Sequence, residues 1–213
     1  MRIKVCGMTQ PEQIIALDEL GVHFAGFIFY PKSPRYVVNH ISSQKMKEIK
    51  GQIAKVGVFV NTPYDELMKT VDAYKLDMVQ LHGDETVLYC EKVSNHVKVI
   101  KAFRLKEGDP PGIMANYENS CDMFLFDTPG IGYGGTGNKF NWEQLKQTAV
   151  NKLYFLSGGI EPGDVEQLKN FSKEPVAEKL LAVDINSRFE ISPGVKDMKK
   201  VKDFVNELRS NEV

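Results

Sequence analysis

A thiol stands two residues after a lysine in Ile3-Lys4-Val5-Cys6-Gly7. Strand alternation puts Ile3 and Val5 on one face and Lys4 and Cys6 on the other. A lone cysteine is ordinarily a small buried hydrophobe. A free thiol is only about 3% ionised at neutral pH, and a nearby cation raises that fraction. Lys4 therefore makes Cys6 a candidate for thiolate chemistry. A second candidate ends the apolar run Phe124-Leu125-Phe126 as Asp127. It is either a loop acid that binds backbone amides or, if partly desolvated, a carboxyl with a raised pKa that serves as a general acid.

Other residues suit anion binding. Arg35 lies in Pro31-Lys32-Ser33-Pro34-Arg35-Tyr36, where two prolines stiffen the loop. Its planar fork matches a carboxylate, although a solvated surface arginine is the plainer reading. Ser157-Gly158-Gly159 and Asp184-Ile185-Asn186-Ser187 end two further apolar runs. Glycines expose backbone N–H groups, which can hold phosphate, but they also make ordinary turns. Asp184 is expected beside Lys4, as a structural ion pair or one that tunes Cys6. His82 ends Gln80-Leu81-His82. No second ligand stands at a recognised metal spacing, and no P-loop or Gly-x-Gly-x-x-Gly follows a strand. No metal or nucleotide cofactor is indicated.

These residues need a frame that brings strand ends together. Short apolar runs recur at Ile3–Cys6, Phe24–Tyr30, Lys55–Val60, Met78–His82, Val97–Phe103, Met123–Asp127, Leu153–Leu156 and Leu181–Ile185. Val, Ile and Phe suit them to strands. Helical spacing lies between them: Pro11 to Leu20, Pro63 to Tyr74, Glu85 to Val93, Val165 to Phe171 and Asp197 to Leu208. Asp84 is the expected cap of the third of these. Ser42–Lys50 and Trp142–Val150 are less regular, and a weaker helix lies within Gly108–Ser120. The alternation predicts a (β/α)8 barrel of about 27 residues per unit over the 213 residues. An open doubly wound sheet is the alternative. In a barrel, the candidate residues fall at the C-terminal ends of strands, where active sites of this fold sit.

Length and charge agree with one domain, 1–213. There are 27 Lys+Arg against 28 Asp+Glu, so a basic nucleic-acid binder is disfavoured. Cys6, Cys90 and Cys121 form no disulfide or zinc pattern. No apolar run approaches the roughly 20 residues that span a bilayer, and the N-terminus lacks a signal-peptide core. A cytoplasmic protein without a membrane or nucleic-acid partner is expected.

The ordered motifs resemble the phosphoribosylanthranilate isomerase family. They include Lys4-Val5-Cys6-Gly7-Met8-Thr9, Ser33-Pro34-Arg35-Tyr36, Gln80-Leu81-His82-Gly83-Asp84-Glu85 and Asp127-Thr128. Gly134-Gly135-Thr136-Gly137, Ser157-Gly158-Gly159-Ile160 and Ser192-Pro193-Gly194-Val195-Lys196-Asp197 continue the order. The resemblance implies an Amadori rearrangement of a phosphosugar in tryptophan biosynthesis, by a monomer or homodimer. It implies Cys6 as base, Asp127 as acid and Arg35 on the anthranilate carboxylate. Gly158, Gly159, Asn186 and Ser187 would hold the phosphate, and His82 and Asp184 would face the substrate. One departure stands out: the family commonly has Ser-Ser-Gly-Val-Glu where this chain has Asn186-Ser187-Arg188-Phe189-Glu190. Two alternatives remain. The histidine-pathway aminoaldose isomerase performs the same rearrangement but uses paired aspartates. A degenerate barrel would bind the phosphosugar without turnover.

Overall fold

The computed structural model describes residues 1–105, 113–128, 142, 145 and 150–210. Eight parallel strands close into a barrel in chain order: β1 Arg2–Val5, β2 Phe24–Ile28, β3 Ala54–Phe59, β4 Met78–Leu81, β5 Lys98–Arg104, β6 Met123–Asp127, β7 Tyr154–Leu156 and β8 Leu180–Ile185. β1 pairs with β8 in the register Lys4↔Asp184, which closes the ring. The open-sheet alternative is thereby excluded.

Alternation along each strand divides two cores. Phe24, Val56, Ile100, Leu125, Phe155 and Ala182 pack together inside the ring. Ile3 and Val5 instead join Ile14 and Leu17 in the larger outer core between strands and helices. Lys4 and Cys6 consequently take the inward parity, as the sequence predicts. Asp127 shares the parity of Met123 and Leu125 on β6.

The helices cover the outside. They are α1 Pro11–Glu19, α2 Ser43–Glu48, α3 Tyr64–Tyr74, α4 Val87–Ser94, α5 Val165–Phe171 and α6 Met198–Arg209. α6 buries Val201, Phe204, Val205 and Leu208, a single stripe at i, i+3, i+4 and i+7. Each such burial contributes about 1.5–3 kcal/mol. Asp197 caps α6 by accepting from Lys200 N at 3.1 Å, a contact worth about 1 kcal/mol.

Several expectations need correction. Thr86, not Asp84, caps α4, accepting from Tyr89 N at 3.2 Å. The reason is Glu85, whose Oε1 folds back to accept from Asn61 N and Gly83 N. Its Oε2 meets Lys101 Nζ at 2.9 Å, so Glu85 cannot join the helix. α2 stops at Glu48 because Ile49 is extended (φ −69°, ψ 107°). After β5 the described residues hold a short 3-10 turn, Ala115–Tyr117, rather than a helix. The expected helix over 142–150 lies outside the described residues, apart from Trp142, Leu145 and Val150. So does the glycine-rich segment 130–137. One element was not anticipated: a small hairpin after β8, with β9 Glu190–Ser192 antiparallel to β10 Val195–Lys196.

Candidate active site

The residue after β1 is Cys6, whose N–H donates to Ile185 O at 2.9 Å and so extends the pairing with β8. Gly26 on β2 makes room for its thiol: a Cβ there would lie 2.7 Å from Cys6 Sγ. Beneath it, Lys4 Nζ meets Asp184 Oδ2 at 2.8 Å, both groups buried. This is the neighbour relation the closure of β8 on β1 requires. Asp184 Oδ1 has no hydrogen-bond partner among the described residues.

The electrostatics differ from the simple expectation for a thiol beside a cation. Burial pushes the Cys6 thiol up, and this outweighs the opposing pull of Lys4 and Lys196; Asp184 adds to the rise. Burial alone would lower Lys4, but Asp184 and Cys6 hold the ammonium above its ordinary value. Asp184 is likewise pushed up by burial, against Lys4. With a 2.8 Å contact, the charged pair is the state we assign.

Asp127 closes β6 on the same rim. Its Oδ1 accepts from Thr128 N at 2.8 Å, and its Oδ2 lies 3.4 Å from His82 Nε2. The histidine ring is oriented from behind: Gln80 Nε2 lies 2.7 Å from His82 Nδ1. The Gln80 contact holds Nδ1, which leaves Nε2 as the ring nitrogen that faces Asp127. The loop carrying His82 is fixed by the Glu85–Lys101 pair, with Lys101 Nζ also donating to Gly83 O at 2.7 Å.

Arg35 comes from the loop after β2 and lies over Gly7, where a Cβ would meet Arg35 Cδ at 2.6 Å. Gly7 has φ +73°, a conformation that glycine adopts at little cost. Arg35 is not solvated: Nε and Nη2 both donate to Glu190, with Nη2 at 2.6 Å from Oε2. Gly158 and Gly159 follow β7 with φ +90° and +72°, turning their backbone over the rim. Asn186 and Ser187 follow β8, and Phe189 anchors this turn against Phe204 at 5.0 Å between ring centroids. Arg188 is exposed and does not take positive φ, so its backbone does not need the glycine of the family pattern.

All nine candidate residues thus come from strand ends or following loops on one rim: Cys6, Arg35, His82, Asp127, Gly158, Gly159, Asp184, Asn186 and Ser187. Sequence reasoning missed Gly26, Gln80, Glu190 and Lys196 as members of the site. Gly26 and Gln80 share parity with inward residues of their strands, a signal that could have found them. Glu190 enters through its contact with Arg35, 155 residues away, and Lys196 through its bonds to Glu190 and Asn186 within the unanticipated hairpin.

A closed (β/α)8 barrel with a thiol, a carboxyl group and an arginine on its C-terminal rim has the arrangement expected of the barrel enzymes, whose active sites lie at that end. The family model for N-(5'-phosphoribosyl)anthranilate (PRA) isomerase matches residues 3–207. The chain belongs to this family. It is 39% identical to the N-(5'-phosphoribosyl)anthranilate isomerase of Phocaeicola vulgatus, with 98% of each chain covered. The Parabacteroides distasonis protein of that name is 38% identical, covering 98% of this chain and 93% of that one. Among solved structures, the Thermus thermophilus phosphoribosyl anthranilate isomerase superposes with a TM-score of 0.84 at 29% identity, covering 99% of each. Another, at TM-score 0.79, 29% identity and 99% coverage of each chain, is a complex of the isomerase with reduced 1-(o-carboxyphenylamino)-1-deoxyribulose 5-phosphate.

Proposed function

We propose that Cys6 is the general base and Asp127 the general acid of the reaction this chain catalyses. The chain is an isomerase of tryptophan biosynthesis that rearranges N-(5-phosphoribosyl)anthranilate to the corresponding 1-deoxyribulose 5-phosphate. Asp127 protonates the furanose ring oxygen as the bond from that oxygen to C1 breaks. The anthranilate nitrogen supplies the electron pair and becomes the iminium of an open-chain Schiff base. Cys6, as thiolate, takes the proton from C2. The C–H electrons form the C1=C2 bond, and the iminium electrons return to nitrogen, giving an enolamine. Loss of the C2 hydroxyl proton and protonation at C1 complete the ketone. No electron leaves the substrate, so the scheme uses no redox group.

The observation that carries this reading is the surroundings of Cys6. Burial makes its thiolate a strong base, while Lys4, Lys196 and Arg35 offer positive charge as the proton leaves. Positioned acid and base groups typically contribute about 10²–10⁴-fold each. Arg35 receives the anthranilate carboxylate. The backbone around Gly158, Gly159, Asn186 and Ser187 receives the phosphate. His82 orients Asp127 and faces the sugar, and Asp184 acts through Lys4. We read residues 1–213 as one barrel domain, acting in the cytoplasm as monomer or homodimer; among the described residues no helix is long and apolar enough to cross a membrane.

The test is the loss of anthranilate-type fluorescence from freshly made phosphoribosylanthranilate. Asp127→Asn is expected to slow the wild-type reaction by at least about 10²-fold. Unchanged turnover in that variant removes Asp127 from the acid role.

A further inference from the structure

The side chain of Glu190 touches three parts of the rim at once. Its two oxygens accept from Arg35 Nε at 2.9 and 3.1 Å, and Oε2 accepts from Arg35 Nη2 at 2.6 Å. Oε1 also accepts from Lys196 Nζ at 2.7 Å and Gly194 N at 3.1 Å. Lys196 is buried and donates in turn to Asn186 Oδ1 at 2.8 Å. One carboxylate therefore links the loop after β2, which carries Arg35, to the turn after β8, which carries Asn186.

A guanidinium has five N–H donors and two edges that can grip a carboxylate side by side. Glu190 occupies the edge formed by Nε and Nη2. The outer edge, formed by Nη1 and the second N–H of Nη2, has no partner among the described residues. Arg35 and Lys196 together carry two positive charges and Glu190 one negative charge. The cluster is thus left with one positive charge, which a single ligand carboxylate balances.

We propose that Glu190 is a positioning residue that fixes Arg35 so that only its outer edge is presented to the ring carboxylate of the substrate. This rests on the reading that Arg35 holds that carboxylate. Lys196 braces Glu190 at Oε1 and is itself held by Asn186. Glu190 touches no reacting atom; it acts through Arg35. A glutamine at 190 keeps the shape but offers one oxygen to two cations, and its amide N–H groups face donors on Arg35 or Lys196.

The experiment is a kinetic cycle on the full chain with Glu190→Gln, Arg35→Ala and the double variant. Glu190→Gln is expected to raise KM for phosphoribosylanthranilate about tenfold with kcat changed less than about threefold. Arg35→Ala is expected to raise KM further, and adding Glu190→Gln to it to change nothing more, because the partner through which Glu190 acts is gone. An unaltered KM in Glu190→Gln overturns the proposal. So does a double variant in which the two effects multiply. An unaltered KM in Arg35→Ala overturns the carboxylate reading itself, and the proposal with it. A second readout separates positioning from loss of structure: competitive inhibition by reduced product analogues made with anthranilate and with aniline. Glu190→Gln should weaken the carboxylate-bearing inhibitor about tenfold and leave the other unchanged. Equal weakening of both overturns the proposal. Should Glu190→Gln fold poorly, Glu190→Asp, which keeps the charge but shortens the reach, is measured with the same inhibitor pair and the same two outcomes.

Discussion

A methyl group on Gly26 would lie 2.7 Å from Sγ of Cys6 and 3.0 Å from its Cα. The glycine on β2 is what lets a thiol occupy the inside of the ring at this level. Gly26→Ala must therefore displace Cys6 or open the β1–β2 pair. The expected result is a loss of turnover of at least about tenfold, with an overpacking cost of about 1–3 kcal/mol in chemical denaturation. Wild-type turnover in this variant would mean the position of Cys6 is not critical.

Lys4 and Asp184 form an ion pair with no solvent to replace either partner. Lys4→Met leaves a buried, uncompensated carboxylate and is expected to cost about 3–5 kcal/mol in urea unfolding. Removing both charges, as in Lys4→Met with Asp184→Leu, should recover part of that stability. A double variant no more stable than the single one would contradict this account of the pair.

The pH dependence follows from the direction of the Cys6 shift. A base works only when deprotonated, and burial raises this thiol, so the thiolate fraction is still growing with pH beyond the neutral range. The ascending limb of kcat/KM is expected to lie above the ordinary thiol value of about 8.5. Lys4 pulls the thiol down while Asp184 and burial push it up, with Lys196 also pulling down. Lys4→Met should accordingly move the ascending limb to higher pH. Measurement of kcat/KM from about pH 6 to 10.5 decides it: a limb that moves to lower pH in Lys4→Met is the contrary result.

Local pattern carried much of the fold. β6 runs Met123–Asp127 and α5 runs Val165–Phe171, the spans their apolar spacing predicts. α5 has a single apolar stripe, and β6 is an unbroken apolar run buried on both faces that ends at Asp127. Alternation in Ile3-Lys4-Val5-Cys6 also placed the lysine and thiol correctly, because β1 buries both of its faces. The start of α4 was misjudged because Glu85 has a tertiary partner, Lys101, that local spacing does not contain. The bond between Arg35 and Glu190 joins residues 155 apart, so Arg35 reads as solvated until the chain is folded. The Cys6 shift was also out of reach: a lysine two residues away is visible in sequence, whereas the burial that outweighs it is not.

The most direct measurement is single-turnover decay of anthranilate-type emission by wild-type protein and by Cys6→Ala, with circular dichroism confirming that both are folded. Acid-base transfer through the thiol predicts decay at least about 10²-fold slower in Cys6→Ala. Decay at the wild-type rate from a folded Cys6→Ala protein would contradict the assignment of the C2 proton to this thiol.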